Sequence, residues 1–370
     1  MSEIRVTNVI GENGSSPVNF TQGINMSGIV TATSFVPTVG QLSHRNLIIN
    51  GDMRIAQRGT SSTSSGYYTV DRFNNFFTGT DESPTQAQVD VASGTTPYTL
   101  GFRKALRITN GNQTSGAGAS DFISIQYKFE AQDIANSGWN YTSASSFITL
   151  SFWIKSSVAQ TFKGYIRSLD GTEQNYPFET GSLTADTWTK ITKTISGNSN
   201  LTFNNDNGEG LQITIAAFWG TDYTDSSVTE NAWAAYSGST RMKDNTSTWY
   251  TTNDATLELT GFQLEVGSVA TPFEHRSFAD ELSRCQRYFA KARTRICFNG
   301  VSGRYGFRTL GQFNMRAAPT VTGSFATQGL GSIQGYGSDA TSTDVRQIYV
   351  QTTAGSGLDG TITYEASSEL

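Results

Sequence analysis

Only two cysteines, Cys285 and Cys297, occur in 370 residues. That number cannot build a disulfide framework, nor by itself a four-ligand zinc site. Histidine is as scarce: His44 and His275 leave little general-base capacity of the commonest kind. Both stand at apparent domain edges, where a structural or solvent-facing role is expected. Charged residues make up 15% of the chain, and the Ala, Glu, Lys and Leu excess of coiled coils or helical bundles is missing. No run of 18 apolar residues is present, so no membrane span is expected. Met1-Ser2-Glu3-Ile4-Arg5 has no apolar core segment, so no signal peptide is expected and the chain reads as made in a cytoplasm. A formal net charge of −5 gives no general attraction to nucleic acid or an anionic membrane.

What is abundant points to β-structure. Ser and Thr supply roughly a quarter of the residues, far above average usage, beside 37 glycines and 12% aromatics. The aromatic and β-branched residues supply apolar surface to bury, which argues against disorder. Residues 1–44 carry almost no large aromatics and read as short extended pieces between glycines. They cannot bury a core alone, so they are either a segment that packs on a partner or a flexible leader. From residue 45 to 276 the pattern is strand after strand. Ile123, Ile125, Tyr127 and Phe129 alternate with polar residues, as do Ile148, Leu150, Phe152 and Ile154, and Leu211, Ile213, Ile215 and Ala217. Leu257 and Leu259 begin one face, but beyond Gly261 the apolar set becomes Phe262, Leu264 and Val266, the parity change of a β-bulge. Such strands with Gly, Asn and Asp turns predict a jelly-roll β-sandwich. Over 277–292 a capping box (Ser277 with Asp280) opens a predicted helix whose seam is Phe278, Leu282, Cys285, Phe289 and Ala292. That seam packs either on its own sandwich or against copies of itself, and Cys285 on it reads as a small buried hydrophobe. Residues 293–370 predict a small C-terminal β domain with strands at Thr320–Ser324, Val345–Thr352 and Thr361–Ala366 and a Gly-rich turn at Gly329–Gly337. The fold class is therefore all-β with one short helix.

Catalytic signatures are missing: there is no phosphate-binding G-x-x-x-x-G-K-[ST] loop, no H-E-x-x-H and no G-x-S-x-G elbow. Carboxylate pairs such as Asp222 with Asp225, or Glu258 with Glu265, fit a glycosidase in principle, but 31 acidic residues make chance pairs unavoidable. Asn204 to Glu209 superficially suggests a calcium loop yet lacks EF-hand spacing, so a plain Asn-Gly turn explains it better. No cofactor or catalytic metal is expected; a structural calcium ion elsewhere on the sandwich stays open. The aromatics are more telling. Trp153 falls on the strand side opposite Phe152 and Ile154, and the stretch from Trp219 to Tyr250 carries Tyr223, Trp233, Tyr236, Trp249 and Tyr250 among polar residues. Rings of this kind stack on sugar C–H faces, or fold back to cover the sandwich or fill a subunit interface. In the C-terminal region Tyr305 and Tyr336 are flanked by glycines, and a sugar could approach the backbone of turns there.

Two segments carry a resemblance. Asn46-Leu47-Ile48-Ile49-Asn50-Gly51-Asp52-Met53, with Tyr68 to Phe73, resembles the opening of carbohydrate-binding-module-like jelly rolls of bacteriophage tail fibres. Leu259 to Gly267, running through Ala270 to Arg276 and on to Cys285-Gln286-Arg287-Tyr288-Phe289, is similar to the end of that module. Met315 to Thr322 looks like the start of the small β domain that often follows it, and Gly28 to Phe35 resembles anchor segments of fibre proteins, especially from marine phages. The resemblance implies a homotrimeric virion fibre or appendage, non-enzymatic, attached through residues 1–44 to tail, baseplate, adaptor or capsid proteins and touching host cell-surface polysaccharide. On that reading residues 293–370 form the distal tip, with Tyr305 and Tyr336 the primary contact and Trp153, Trp233, Tyr236, Trp249 and Tyr250 auxiliary or structural. The alternatives are a capsid-attached or spacer fibre without receptor contact, and a polysaccharide depolymerase of the tail.

Overall fold

The alternating strands close into two six-stranded antiparallel sheets laid face to face. The computed structural model describes residues 44–298, 303–308, 315–327, 333–340, 345–352 and 358–370. The sandwich strands are β1 (Ser61–Ser62), β2 (Phe73–Thr78), β3 (Thr85–Asp90), β4 (Lys104–Thr109), β5 (Phe122–Glu130) and β6 (Phe147–Ser156). They continue as β7 (Thr161–Ser168), β8 (Gln174–Ser182), β9 (Thr189–Ser196), β10 (Glu209–Trp219), β11 (Ala234–Ala235) and β12 (Thr256–Val266). The first sheet has the order β1-β3-β4-β12-β6-β9, and the second β11-β8-β7-β10-β5-β2. Every apolar series picked out by period-2 alternation faces the layer between them. Ile125, Tyr127, Leu150, Phe152, Ile213, Ile215, Leu259 and Phe262 share one buried cluster, with the Phe152 and Phe262 rings stacked at 4.7 Å. The bulge expected at Gly261 is present: this residue has φ +64°, and the register with β6 shifts between Thr260 and Gln263.

The segment Asn46 to Met53 is not a strand, yet it is locked against β12. The Asn46 amide donates to the Phe262 carbonyl at 3.0 Å and accepts from the Leu264 N–H at 3.1 Å. The Phe262 N–H donates to the Gly51 carbonyl at 2.9 Å. Arg276 then donates to the carbonyls of Asn46 and Ile48, and Glu281 accepts from the Asn50 N–H. The two segments that carry the family resemblance thus meet in space as one structural clasp.

Helix α1 (Phe278–Gln286) begins where the capping box placed it, with the Ser277 hydroxyl accepting from the Asp280 N–H. It ends earlier than the seam implied. Phe289 and Ala292 belong instead to β13 (Phe289–Phe298), whose backbone pairs along its length with a C-terminal strand. The oligomer seam is corrected accordingly: Cys285 packs in its own chain with Ile49, Ile55 and Tyr288, Leu282 joins them, and Phe278 alone is left 58% exposed. Cys285 is buried and its thiol is pushed well up by desolvation. The remaining strands are β14 (Gly303–Arg308), β15 (Thr320–Thr327), β16 (Ile333–Ala340), β17 (Val345–Thr352) and β18 (Leu358–Ser367). They form two three-stranded sheets, β13-β18-β15 and β14-β17-β16. The Gly-rich turn expected at Gly329–Gly337 gives way to β16, which contains Gly335 and Gly337. The predicted leader, residues 1–44, lies outside the described residues apart from His44.

Candidate functional site

Strand alternation sends half of each second-sheet strand to the core and half outward. Because Ile125 and Tyr127 of β5 are core residues, Ser124, Gln126 and Lys128 take the outer face. The antiparallel registers then align side chains across five strands. Asn74 pairs with Gln126, Gln126 with Thr214, Thr214 with Tyr165, and Tyr165 with Pro177. A flanking row holds Lys128, Gln212, Arg167 and Asn175. At about 4.8 Å per strand this platform is about 19 Å wide.

Several polar groups of this platform are held in place but not consumed. Gln126 is only 7% exposed, and among the described residues its amide makes no hydrogen bond. Asn74 Oδ1 and Asn175 Oδ1 are buried there without a partner. Gln212 is steadied by donating to the Thr214 hydroxyl at 2.8 Å. Phe76, 41% exposed, stands at one end against Phe122 at 4.9 Å. Tyr236 stands at the other, under the Arg167 guanidinium at 3.7 Å and accepting from Arg241 at 2.7 Å. Burial pushes the Tyr165 hydroxyl up to about 12, partly offset by its hydrogen bond with Thr214, so it stays a neutral phenol.

The platform's charges cancel locally. Lys128 pairs with Glu209 at 2.8 Å, Arg167 with Glu173, and Lys163 with Glu179 and Glu230. Burial alone would lower the Lys163 ammonium, but its hydrogen bonds to Glu179 and Glu230 outweigh that and hold it above the usual range. The face therefore presents amides and rings without a net field, with the Thr214 and Tyr165 hydroxyls buried beneath it.

The aromatics singled out in the sequence are scattered by the fold. Trp249 and Tyr250 are core residues: Tyr250 packs on Phe218 at 4.5 Å and donates to Asp121 at 3.1 Å, and Trp249 donates to the Thr256 carbonyl. They are removed from the glycan candidates. Trp233 is half-buried against Tyr176 at 5.3 Å and donates to the Ser196 carbonyl at 2.8 Å. Trp219, Tyr223 and Met242 form a second small core with Phe122, Tyr165 and Ala216, so this long loop folds back over one end of the outer face. Tyr236 of that loop borders the flanking row at Arg167, while Trp219 and Met242 cover Tyr165. Trp153 lies on the outer face of the first sheet, lining a pocket there. Tyr305 and Tyr336 stand inside β14 and β16, both at the register position of Val350, and not in turns as expected. Sequence reasoning missed Asn74, Gln126, Thr214, Gln212, Tyr165 and Arg167. The alternation that marks them as outward is visible, but polar outward residues read as ordinary solvent-facing positions.

The carboxylate pairs are separated or engaged. Glu258 is buried between Arg107 at 2.6 Å and Lys155 at 2.9 Å, and Glu265 accepts from the Thr271 N–H and hydroxyl. Seven positions along one strand put them on the order of 20 Å apart. Asp225 accepts from Ser227. In the Asn204 to Glu209 stretch, Asn204 donates to Asp170 and Asp206 accepts from the Gly208 N–H, the bonding of a turn.

No protein-family model matches the chain, and no curated relative matches it. Solved structures do. The enzymatically active domain of tailspike protein 4 of bacteriophage CBA120 is 9% identical at a TM-score of 0.31, over 60% of this chain and 21% of that one. The N-terminal cellulose-binding domain of Cellulomonas fimi β-1,4-glucanase C is 11% identical at 0.28, over 59% of this chain and 99% of its own. The tripod from the baseplate of bacteriophage Tuc2009 is 14% identical at 0.28, over 66% of this chain and 62% of that one. The chain thus spans about a fifth of the tailspike's length. The structural neighbours include phage tail proteins and carbohydrate-binding β-sandwiches.

Proposed function

We propose that this chain is a non-enzymatic phage appendage subunit whose sandwich binds a neutral glycan across the outer face of its second sheet. The observation that carries the reading is the outer-face pair of rows across β2, β5, β10, β7 and β8, in which Asn74 and Asn175 keep side-chain carbonyl oxygens without a protein partner beside Gln126, whose amide makes no hydrogen bond among the described residues. A buried amide oxygen left without a donor costs free energy, and ligand hydroxyls that donate to it relieve that cost. Phe76 and Tyr236 border the rows with ring faces suited to sugar C–H surfaces. Charge cancellation across the face favours an uncharged chain over an acidic one. Engagement of Glu258, Glu265 and Asp225 in structural bonds supports binding without cleavage. Attachment through residues 1–44 in a homotrimer, in the tail or on the capsid, belongs to the same proposal, motivated by a leader too poor in apolar residues to fold alone. The helix supplies no free seam toward it.

The test is a neutral glycan array followed by titration calorimetry on the best binder, with light scattering on the same preparation. Gln126→Ala is expected to weaken binding about tenfold without lowering the melting temperature. Tyr305→Ala with Tyr336→Ala should leave the affinity unchanged. A mass of three chains is expected. Unaltered affinity in Gln126→Ala, loss in the tyrosine pair, a stable monomer, or release of shortened glycan would each overturn the part it addresses.

A further inference from the structure

On the opposite side of the sandwich, the outer face of the first sheet holds a pocket of 380 Å³ lined by Phe102, Trp153, Lys190, Gly261, Phe273 and His275. That volume suits a small organic ligand. Its walls are rings: Phe102 meets Phe273 edge-on at 4.9 Å, and His275 lies 4.9 Å from Phe273 and 5.3 Å from Phe102. His275 is fixed by a 2.9 Å hydrogen bond with the Leu100 carbonyl. The floor is kept open by the bulge glycine. A Cβ on Gly261 would come within 2.8 Å of Phe102 Cζ and 3.1 Å of Trp153 Cδ1, so any side chain there would close the gap between the two rings.

The charge at this pocket differs from that of the other face. Trp153 and Lys190 are register partners on β6 and β9, so the ammonium stem rises beside the indole. Lys155 is neutralised by Glu258 and Lys104 by Asp90, but among the described residues Lys190 makes no ion pair. Past His275 a further 140 Å³ cavity is lined by Arg54, Arg103, Lys104 and Arg276, of which Arg54 is paired with Asp52, Lys104 with Asp90, and Arg276 with Glu274 and Glu281. There Arg103 lies on Tyr98 at 3.9 Å, with no acidic partner among the described residues.

We infer that this pocket binds one ring of an acidic polysaccharide, a hexuronate-type sugar whose apolar face lies on Trp153 and whose carboxylate meets Lys190. The ring walls supply stacking, and the unpaired cation supplies the preference for the acid. The inference stands on this pocket and does not need the neutral-glycan platform on the other sheet. It gives the sandwich two faces with different glycan chemistry.

Titration calorimetry of the full chain with trigalacturonate and with its methyl ester tests this at low and physiological salt. The acid is expected to bind about tenfold more tightly than the ester, with the advantage shrinking as salt rises. Lys190→Gln, on an exposed edge strand, should bring the acid down to the level of the ester. Trp153→Ala should weaken binding of the acid about tenfold. Equal binding of acid and ester, no binding of either, or an unchanged acid preference in Lys190→Gln overturns the inference. So does an oligomer that Trp153→Ala dissolves, since a second copy of the chain would then fill the pocket.

Discussion

Asp71 shows how one buried residue couples this fold to pH. It is 1% exposed and accepts from the Gln57 N–H at 2.9 Å and from the Gln57 side-chain amide. Desolvation raises its carboxyl from an ordinary 3.8 to about 6, and the Gln57 hydrogen bonds with the nearby Arg58 charge keep it from going further. Between those values the folded chain holds a proton that the unfolded chain has released. The contribution of Asp71 to stability is therefore greatest below about pH 4 and is lost as pH rises toward 6. Glu130 slopes the other way: burial there is outweighed by hydrogen bonds from Arg287 and Tyr288, and its carboxyl stays below the usual range. Such groups cancel when the native chain is compared with Asp71→Asn. Between pH 7 and pH 4.5 the difference in unfolding free energy should move about 2 kcal/mol in favour of the native chain. Urea unfolding at both pH values measures it, and a constant difference would show that Asp71 is not buried as described.

Among the elements, legibility followed the range of the interaction. The bulge in β12 was readable because Gly261 changes the parity of Leu257, Leu259, Phe262 and Leu264, a purely local signal. The end of the helix was not. Phe289 continues the spacing of Phe278, Leu282 and Cys285, and only pairing with β18, some seventy residues away, converts it to a strand residue. The same holds for Gly335 and Gly337, whose local preference for turns yields to the β16–β17 pairing. The outer-face row was invisible for a related reason. Alternation says that Gln126 faces outward, but not that it lies in register with Asn74, Thr214 and Tyr165 from three other strands. The Asn46-to-Met53 motif, recognisable by resemblance, has its physical reason in the clasp on β12. A Cβ on Gly51 would lie 2.1 Å from the Phe262 carbonyl oxygen, with no side chain to rotate away. Gly51→Ala should therefore cost at least about 3 kcal/mol, because the clasp must open along with its Asn46 hydrogen bonds. Thermal melting checks this, and an unchanged melting temperature would mean that the segment is not seated on β12.

For the whole molecule, the question is what makes sandwich and C-terminal sheets one body, Val39–Leu370. Side-chain bonds to the main chain contribute, with Arg316 donating to the Asn207 carbonyl and the Asn207 amide donating to the Arg316 carbonyl, both at 2.6 Å. The stronger element is ionic. Arg72 is buried with its guanidinium 3.4 Å above the Tyr288 ring and 5.3 Å from that of Tyr127. One of its terminal nitrogens donates to the Lys128 carbonyl, and the other meets the Glu369 carboxylate. Arg58 lies on the Phe289 ring at 3.6 Å and reaches the same carboxylate at 3.2 Å. Burial alone would lower the Arg72 guanidinium, but the Glu369 charge and the surrounding tyrosines outweigh it and hold it well above its ordinary value. A guanidinium enclosed in this way cannot shed its proton to escape the loss of its partner, so it must either stay buried uncompensated or pull the interface open. Glu369→Gln keeps the shape of the side chain and removes only its charge. It should lower stability by about 3 kcal/mol or more and separate the unfolding of the C-terminal sheets from that of the sandwich. Urea unfolding followed by tryptophan fluorescence, which reports the sandwich, and by circular dichroism, which reports every strand, should give one coincident transition for the native chain and two for the variant. Coincident transitions in the variant at an unchanged midpoint would show that bonds to the main chain and apolar packing alone hold the two parts together.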